Sequence, residues 1–174
     1  MEDIVNNTNI KVFDNFIHPE DFSKLEQIFL ANNFPWYYNE YVNYADNEEQ
    51  SFQFTHIFYK DNEPKSKLIQ NISPILEKID IFSLYRIKAN LTTKTNVIEE
   101  HGYHRDVKLS NNCKITTAIF YINSNDGYTL FEDGSKIHSV ANRFVSFPSY
   151  LEHSGTSCTD EKVRLVLNFN YIGF

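Results

Sequence analysis

From residue 81 onward the chain is a series of short β-forming runs with no helical pattern between them. They are IFSLYRIKANL (81–91), CKITTAIFYIN (113–123), GYTLFED (127–133), KIHSVA (136–141), RFVSFP (143–148) and KVRLVLNFNYIGF (162–174). Turn signals such as SNDG (124–127) and EDGS (132–135) separate them. Regular short strands without intervening helices exclude a parallel βαβ sheet and require antiparallel sheets closed into a sandwich or barrel.

The first 80 residues are mixed. NIKVFDNFI (9–17) and SFQFTHIFY (51–59) read as strands. HPEDFSKLEQIFLANN (18–33) reads as a helix, with Pro19 near its start and Phe22, Leu25, Ile28 and Phe29 at helical spacing. PKSKLIQNISPILEKI (64–79) is a second helical pattern, interrupted at Pro74. The simplest architecture is one domain over 1–174. Residues 1–80 form a mixed α/β support with two N-terminal helices, and 81–174 form a jelly-roll core, a double-stranded β-helix.

A chain of 174 residues with 16% aromatics can bury a sizeable core. A net charge of −7 disfavours nucleic acid as a partner, because phosphate contacts need clustered Lys and Arg. No apolar run approaches the ~20 residues of a membrane-spanning helix, so no membrane partner is expected. The N-terminus lacks the basic and apolar regions of a signal peptide. Cys113 and Cys158 stand far apart in no C-x-x-C pattern, and they read as free thiols of a cytoplasmic protein.

Chemistry first appears in GYHRDVK (102–108). In an extended chain i and i+2 share a face, so His104 and Asp106 can project into one pocket. Alone, such a tripeptide is equally a strand end in solvent. A third ligand stands in FPSYLEHSG, where His153 precedes the last strand. Two imidazoles and one carboxylate form the facial triad of non-haem Fe(II) sites, which leaves coordination positions open. Arg164 lies eleven positions later, within an apolar strand. It is either a strand-end cation in solvent or a buried guanidinium, suited to gripping a carboxylate with two hydrogen bonds.

The order HRD (104–106), TTAIFYIN (116–123), GYTLFEDG (127–134), NRFVSFPSYLEH (142–153) and RLVLNFNY (164–171) resembles the 2-oxoglutarate and Fe(II)-dependent oxygenases, and among them the prolyl-4-hydroxylase-like group. The resemblance spans about residues 81–172. It implies that His104, Asp106 and His153 bind iron and that Arg164 pairs with the distal carboxylate of 2-oxoglutarate. Tyr121 would hydrogen-bond the same carboxylate, or else is a core aromatic. Asn168 would line the cosubstrate pocket, or else makes a local hydrogen bond; Asn90 is a weaker candidate of the same kind. One departure is His101, where that family often has a tyrosine; it competes with His104 as a ligand, but the i, i+2 geometry favours His104. His18, His56 and His138 read as surface or packing histidines.

The implied activity is a dioxygenase using Fe(II), 2-oxoglutarate and O2. It would hydroxylate a C–H bond of a peptide or protein side chain such as proline, or of a small molecule, and release succinate and CO2. The rival is a non-catalytic jelly-roll binding module or a cupin-like metal-binding protein. Residues 92–103 can form a lid over the pocket, and 34–44 can line a substrate groove or pack the N-terminal layer.

Overall fold

A computed structural model describes residues 2–42, 51–107 and 115–173. The strands are β1 (Lys11–Phe13), β2 (Tyr37–Asn39), β3 (Gln53–Lys60), β4 (Glu63–Pro64), β5 (Ile81–Thr93), β6 (Ile115–Tyr121), β7 (Tyr128–Phe131), β8 (Lys136–His138), β9 (Arg143–Pro148), β10 (His153–Gly155) and β11 (Val163–Gly173). The helices are α1 (Pro19–Leu30) and α2 (Ser73–Leu76), the latter preceded by a 3-10 turn over Lys67–Ile72.

The expected jelly roll is present as two facing antiparallel sheets. The larger runs β1-β9-β6-β11-β5-β3-β2, with β4 beside β3; the smaller runs β10-β7-β8. The N-terminal half does more than support this core, because β1 pairs with β9 and β3 pairs with β5 in the large sheet.

Helix α1 starts where Pro19 sets its first turn and the His18 ring accepts the Glu20 amide. It buries Leu25 and Phe29 and ends at Leu30, three residues short of the helix expected over 18–33. The second helical pattern does not form one helix. Pro74 cannot donate an amide hydrogen bond and its ring crowds the turn before it, so the chain is 3-10 up to Ile72 and restarts as a single α turn.

Strands β6 and β11 read as nearly continuous apolar runs because both of their faces are buried. Ala118, Phe120, Leu165, Leu167 and Phe169 point outward into the core shared with α1, Ile72 and Ile75. Ile119, Tyr121 and Val166 point inward against Phe131, Ile137, Val145 and Phe147. The cavity described below lies between the sheets, on the inward side. Of the 34–44 stretch, Phe34 and Trp36 pack on Phe29 and Tyr37 and Tyr38 are exposed, while 43 and 44 fall outside the described residues. Cys158 is a buried free thiol; Cys113 lies outside the described residues. No helix among the described residues is long and apolar enough to cross a membrane.

Phe120 is fully buried where α1 meets the sheet, and its ring contacts Phe16 and Phe22. Phe120→Ala is expected to cost about 3–5 kcal/mol, because the site loses a ring that its β-sheet neighbours cannot move in to replace. Urea denaturation should show this as a lower midpoint with an unchanged slope.

Candidate functional site

His104, Asp106 and His153 come together: one donor atom from each lies within 4.8 Å of the others. The sequence places His104 and Asp106 on a strand, but the structure gives an extended stretch with one bridge. His104 donates its amide to the His153 carbonyl at 3.0 Å, and His153 donates back to His104 at 3.1 Å. Residues before it follow the same line, with His101 donating to Gly155 and Ser157 to Glu99. Residues 99–104 are thus held against 153–157 as a wall of the site, where the sequence allowed a lid.

Each ligand imidazole is oriented by its own local chain. The His104 Nδ1 faces the Gly102 carbonyl at 3.4 Å, and the His153 Nδ1 faces the Leu151 carbonyl at 3.3 Å. Donation from Nδ1 fixes the tautomer and leaves the Nε2 lone pair for a cation. Those Nε2 atoms stand 4.0 Å and 3.7 Å from the Asp106 oxygens. Phe131 and Phe147 flank the His153 ring.

Asp106 is held by neighbours from two adjacent strands of the large sheet. From β5, Arg86 donates to Oδ1 at 2.8 Å; from β11, Asn168 and Asn170 donate to Oδ2 at 2.7 and 3.3 Å. Burial alone would raise the Asp106 carboxyl. His153, Arg86, His104 and the Asn168 amide override it and keep the group below the ordinary carboxylate range. Burial pushes the His153 imidazole down to about 4 against the pull of Asp106. At neutral pH Asp106 is therefore a carboxylate and His153 a neutral imidazole, the forms in which they can ligate a divalent cation.

Arg164 is buried at 5% exposure, so it is not a strand-end cation in solvent. Its Nε donates to Ser139 Oγ at 2.9 Å, and its Nη2 donates to the Tyr128 carbonyl and Thr129 Oγ1 at 3.2 and 3.3 Å. No carboxylate among the described residues pairs with it. Gly127 lets the arginine in: a Cβ there would lie 2.7 Å from the Arg164 Cδ and 2.6 Å from the Ser157 carbonyl. Tyr121 stacks behind the guanidinium at 5.6 Å and its hydroxyl bonds Thr129 Oγ1 at 2.8 Å, so Thr129 takes the cavity-facing place expected of Tyr121. Asn168 lines the cavity, and its amide serves Asp106.

One cavity joins these groups. It is lined by the three ligands, Arg164, His101, Lys88, Asn90 and Thr92, with Ile119 and Val166 as apolar walls. Asn90 Oδ1, Thr92 Oγ1 and Asn168 Oδ1 are buried there with no hydrogen-bond partner among the described residues. Orphaned acceptors and donors of this kind mark a place shaped for a polar ligand. His101 lies outside the ligand cluster, and burial, with Arg164 and His104 adding, lowers its imidazole to about 4. His18 caps α1, His56 packs on Phe34 and Phe58, and His138 packs on Tyr128, in line with their reading as surface or packing histidines.

Arg86, Asn170 and Lys88 were not singled out from sequence. The signal was available in YRIKANL: Ile87 and Ala89 alternate into the core, which turns Arg86, Lys88 and Asn90 to the cavity face.

No family model matches the sequence, and no curated protein matches it. Solved structures do match across nearly the whole chain. A prolyl hydroxylase from Trichoplax adhaerens, solved with a hypoxia inducible factor oxygen degradation domain peptide fragment, aligns with a TM-score of 0.68 and 12% identity, over 97% of this chain and 85% of that one. A Pseudomonas putida prolyl-4-hydroxylase aligns with a TM-score of 0.62 and 12% identity, over 95% and 93%. SnoN, a non-haem α-ketoglutarate-dependent epimerase from nogalamycin biosynthesis, aligns with a TM-score of 0.62 and 11% identity, over 95% and 78%. The chain therefore has the fold of the 2-oxoglutarate and Fe(II) oxygenases.

Two outcomes follow from the site. The unfolded chain protonates its histidines near 6.5, whereas folded His101 and His153 resist until about 4. Stability of the metal-free chain should thus fall as pH drops from 6.5 to 4, on the order of 3 kcal/mol for each ring, and urea denaturation across that window measures it. Asn168→Ala should loosen Asp106 and weaken divalent-metal affinity by ~10–100-fold, read by competition with a chromogenic chelator.

Proposed function

We propose that this protein is an Fe(II)- and 2-oxoglutarate-dependent dioxygenase that hydroxylates a C–H bond of its substrate. The observation that carries the proposal is Arg164: a buried guanidinium with no carboxylate partner among the described residues, in one cavity with a His-Asp-His cluster. Burying such a charge is costly unless an anion completes it. A metal-storing jelly roll has a use for the cluster and none for the arginine.

His104 and His153 would hold iron through Nε2, and Asp106 through a carboxylate oxygen. The donor set suits Fe(II), and among the described residues no thiolate takes part in the cluster. Iron bound there with 2-oxoglutarate and O2 supplies oxidative decarboxylation, giving succinate and CO2, and the oxidising power to hydroxylate a C–H bond. The chain's own work is binding and orientation. Arg164 offers the carboxylate of 2-oxoglutarate its unused donors, Thr129 adds a hydroxyl, and Ser139 and Tyr121 keep the guanidinium aimed. Arg86, Asn168 and Asn170 fix the Asp106 carboxylate. Ile119 and Val166 give the passage between the two ends an apolar wall that disfavours water. Substrates of the peptide or protein class, proline among them, are supported by the likeness to prolyl hydroxylases; the likeness to SnoN supports small molecules equally.

Anaerobic titration of 2-oxoglutarate into the Fe(II)-loaded protein, followed by the metal-to-ligand absorption band or by calorimetry, tests the proposal. Hydrogen bonds to charged groups contribute about 1.5–3 kcal/mol each. Arg164→Ala should therefore lose 2-oxoglutarate affinity by at least about tenfold while keeping iron. Arg164→Lys should lose part of it, keeping charge without the fork. Gly127→Ala should behave like Arg164→Ala, since the added methyl displaces the arginine. Unchanged affinity in an iron-loaded Arg164→Ala protein refutes the reading.

A further inference from the structure

A second cation, Lys88, faces the same cavity and has no role in the scheme above. Its β5 neighbours Ile87 and Ala89 are fully buried in the core, so the strand has no other face to offer it than the cavity. Among the described residues Lys88 has neither a hydrogen bond nor an ion pair. Asp106, the sole carboxylate among the described residues that line the cavity, is already taken by Arg86, Asn168 and Asn170. Burial and Arg86 push the Lys88 ammonium down to about 8 and Asp106 pulls it back, so the charged form persists at neutral pH. A chain with a net charge of −7 has thus placed a cation with no partner among the described residues beside its candidate metal centre.

The β5–β11 register shows which end of the cavity it serves. Arg164 stands opposite Thr92, whereas Lys88 stands opposite Asn168, the residue that grips Asp106. Thr92 and Lys88 are four residues apart, about 13 Å along the strand at ~3.3 Å per residue. Lys88 is therefore at the ligand end, where the reacting C–H of a substrate has to lie, and away from the guanidinium that would take 2-oxoglutarate. A lone ammonium is a point charge suited to one monoanion.

Resting on the oxygenase reading for its chemistry, we infer that Lys88 is a specificity-determining residue that binds a carboxylate of the primary substrate. The preferred substrate is then an acidic molecule or an acidic side chain, oxidised at a carbon near its carboxylate, and a neutral proline ring leaves Lys88 unmatched.

The test is calorimetric, on the full chain loaded with Fe(II) and 2-oxoglutarate without oxygen. The probes are matched pairs, the N-acetyl methylamides of aspartate and asparagine and of glutamate and glutamine. At least one acidic member should bind roughly tenfold tighter than its amide. Lys88→Met, close in volume and neutral, should erase that preference while 2-oxoglutarate affinity and the thermal midpoint hold, and Lys88→Arg should retain part of it. Three results overturn the inference: no acidic preference in the parent, a preference that survives Lys88→Met, or a Lys88→Met loss that falls on 2-oxoglutarate, which would assign the ammonium to the cosubstrate. If the chain binds neither iron nor 2-oxoglutarate, the oxygenase reading fails by itself. The same pairs titrated into the metal-free chain still decide Lys88 by the first two of those results.

Discussion

The ladder between β5 and β11 is the constraint on which the site depends. Eight residues of β11, Val163 to Asn170, pair with β5 without a break, and this register sets Arg164 beside Thr92, Asn168 beside Lys88 and Asn170 beside Arg86. The polar groups of β5 and β11 that line or support the inward face of the large sheet owe their depth to that pairing. Slipping it by one residue would turn Leu165 and Leu167 into the cavity and drive Arg164 and Asn168 into the hydrophobic core. The outward leucines and phenylalanines on the same strand are what forbid the slip. Core packing and site geometry are therefore one specification, written on alternate residues.

The polar inward face is costly to keep, and the structure shows how the cost is met. Asp106 is surrounded by donors, and Arg164 is braced by a serine, a threonine, a backbone carbonyl and a tyrosine ring. What is left over is acceptor and donor capacity at Asn90, Thr92, Asn168, Lys88 and the guanidinium itself. Buried groups left in this condition are tolerated where a ligand will complete them, and they cluster here at the two ends of one cavity.

Much of this was legible in sequence. The change of period at residue 81 carried the fold class, because alternation survives in each short strand. His104, Asp106 and His153 were visible because their order along the chain is distinctive, and Arg164 because a cation in a Val-Leu run demands a reason. What was not legible had identifiable causes. Pro74 divided a helical pattern whose apolar spacing looked whole. The bridge between His104 and His153 joins segments too far apart in sequence for any local pattern to report, so a strand was expected where one pair of bonds does the work. Tyr121 was left as either a cosubstrate contact or a core aromatic because sequence alone cannot show that Thr129 stands in front of it. Arg86 and Lys88 were overlooked because charged residues in a half-polar strand look like a solvated face; only the burial of Ile87 and Ala89 behind them shows that the face is enclosed.

The reciprocal amide–carbonyl pair between His104 and His153 has a consequence for the lifetime of the fold. Those two residues belong to segments separated by four strands, and their contact is one of the places where residues 99–104 are tied to the small sheet and the chain just after it. A cation shared by both rings would act on this tie as a covalent cross-link acts on a loop, since the segments could not part without releasing it. Amide hydrogens along 99–104 would then exchange more slowly, and proteases would find that stretch closed. Metal supply would in this way govern how long the protein survives as well as what it can do.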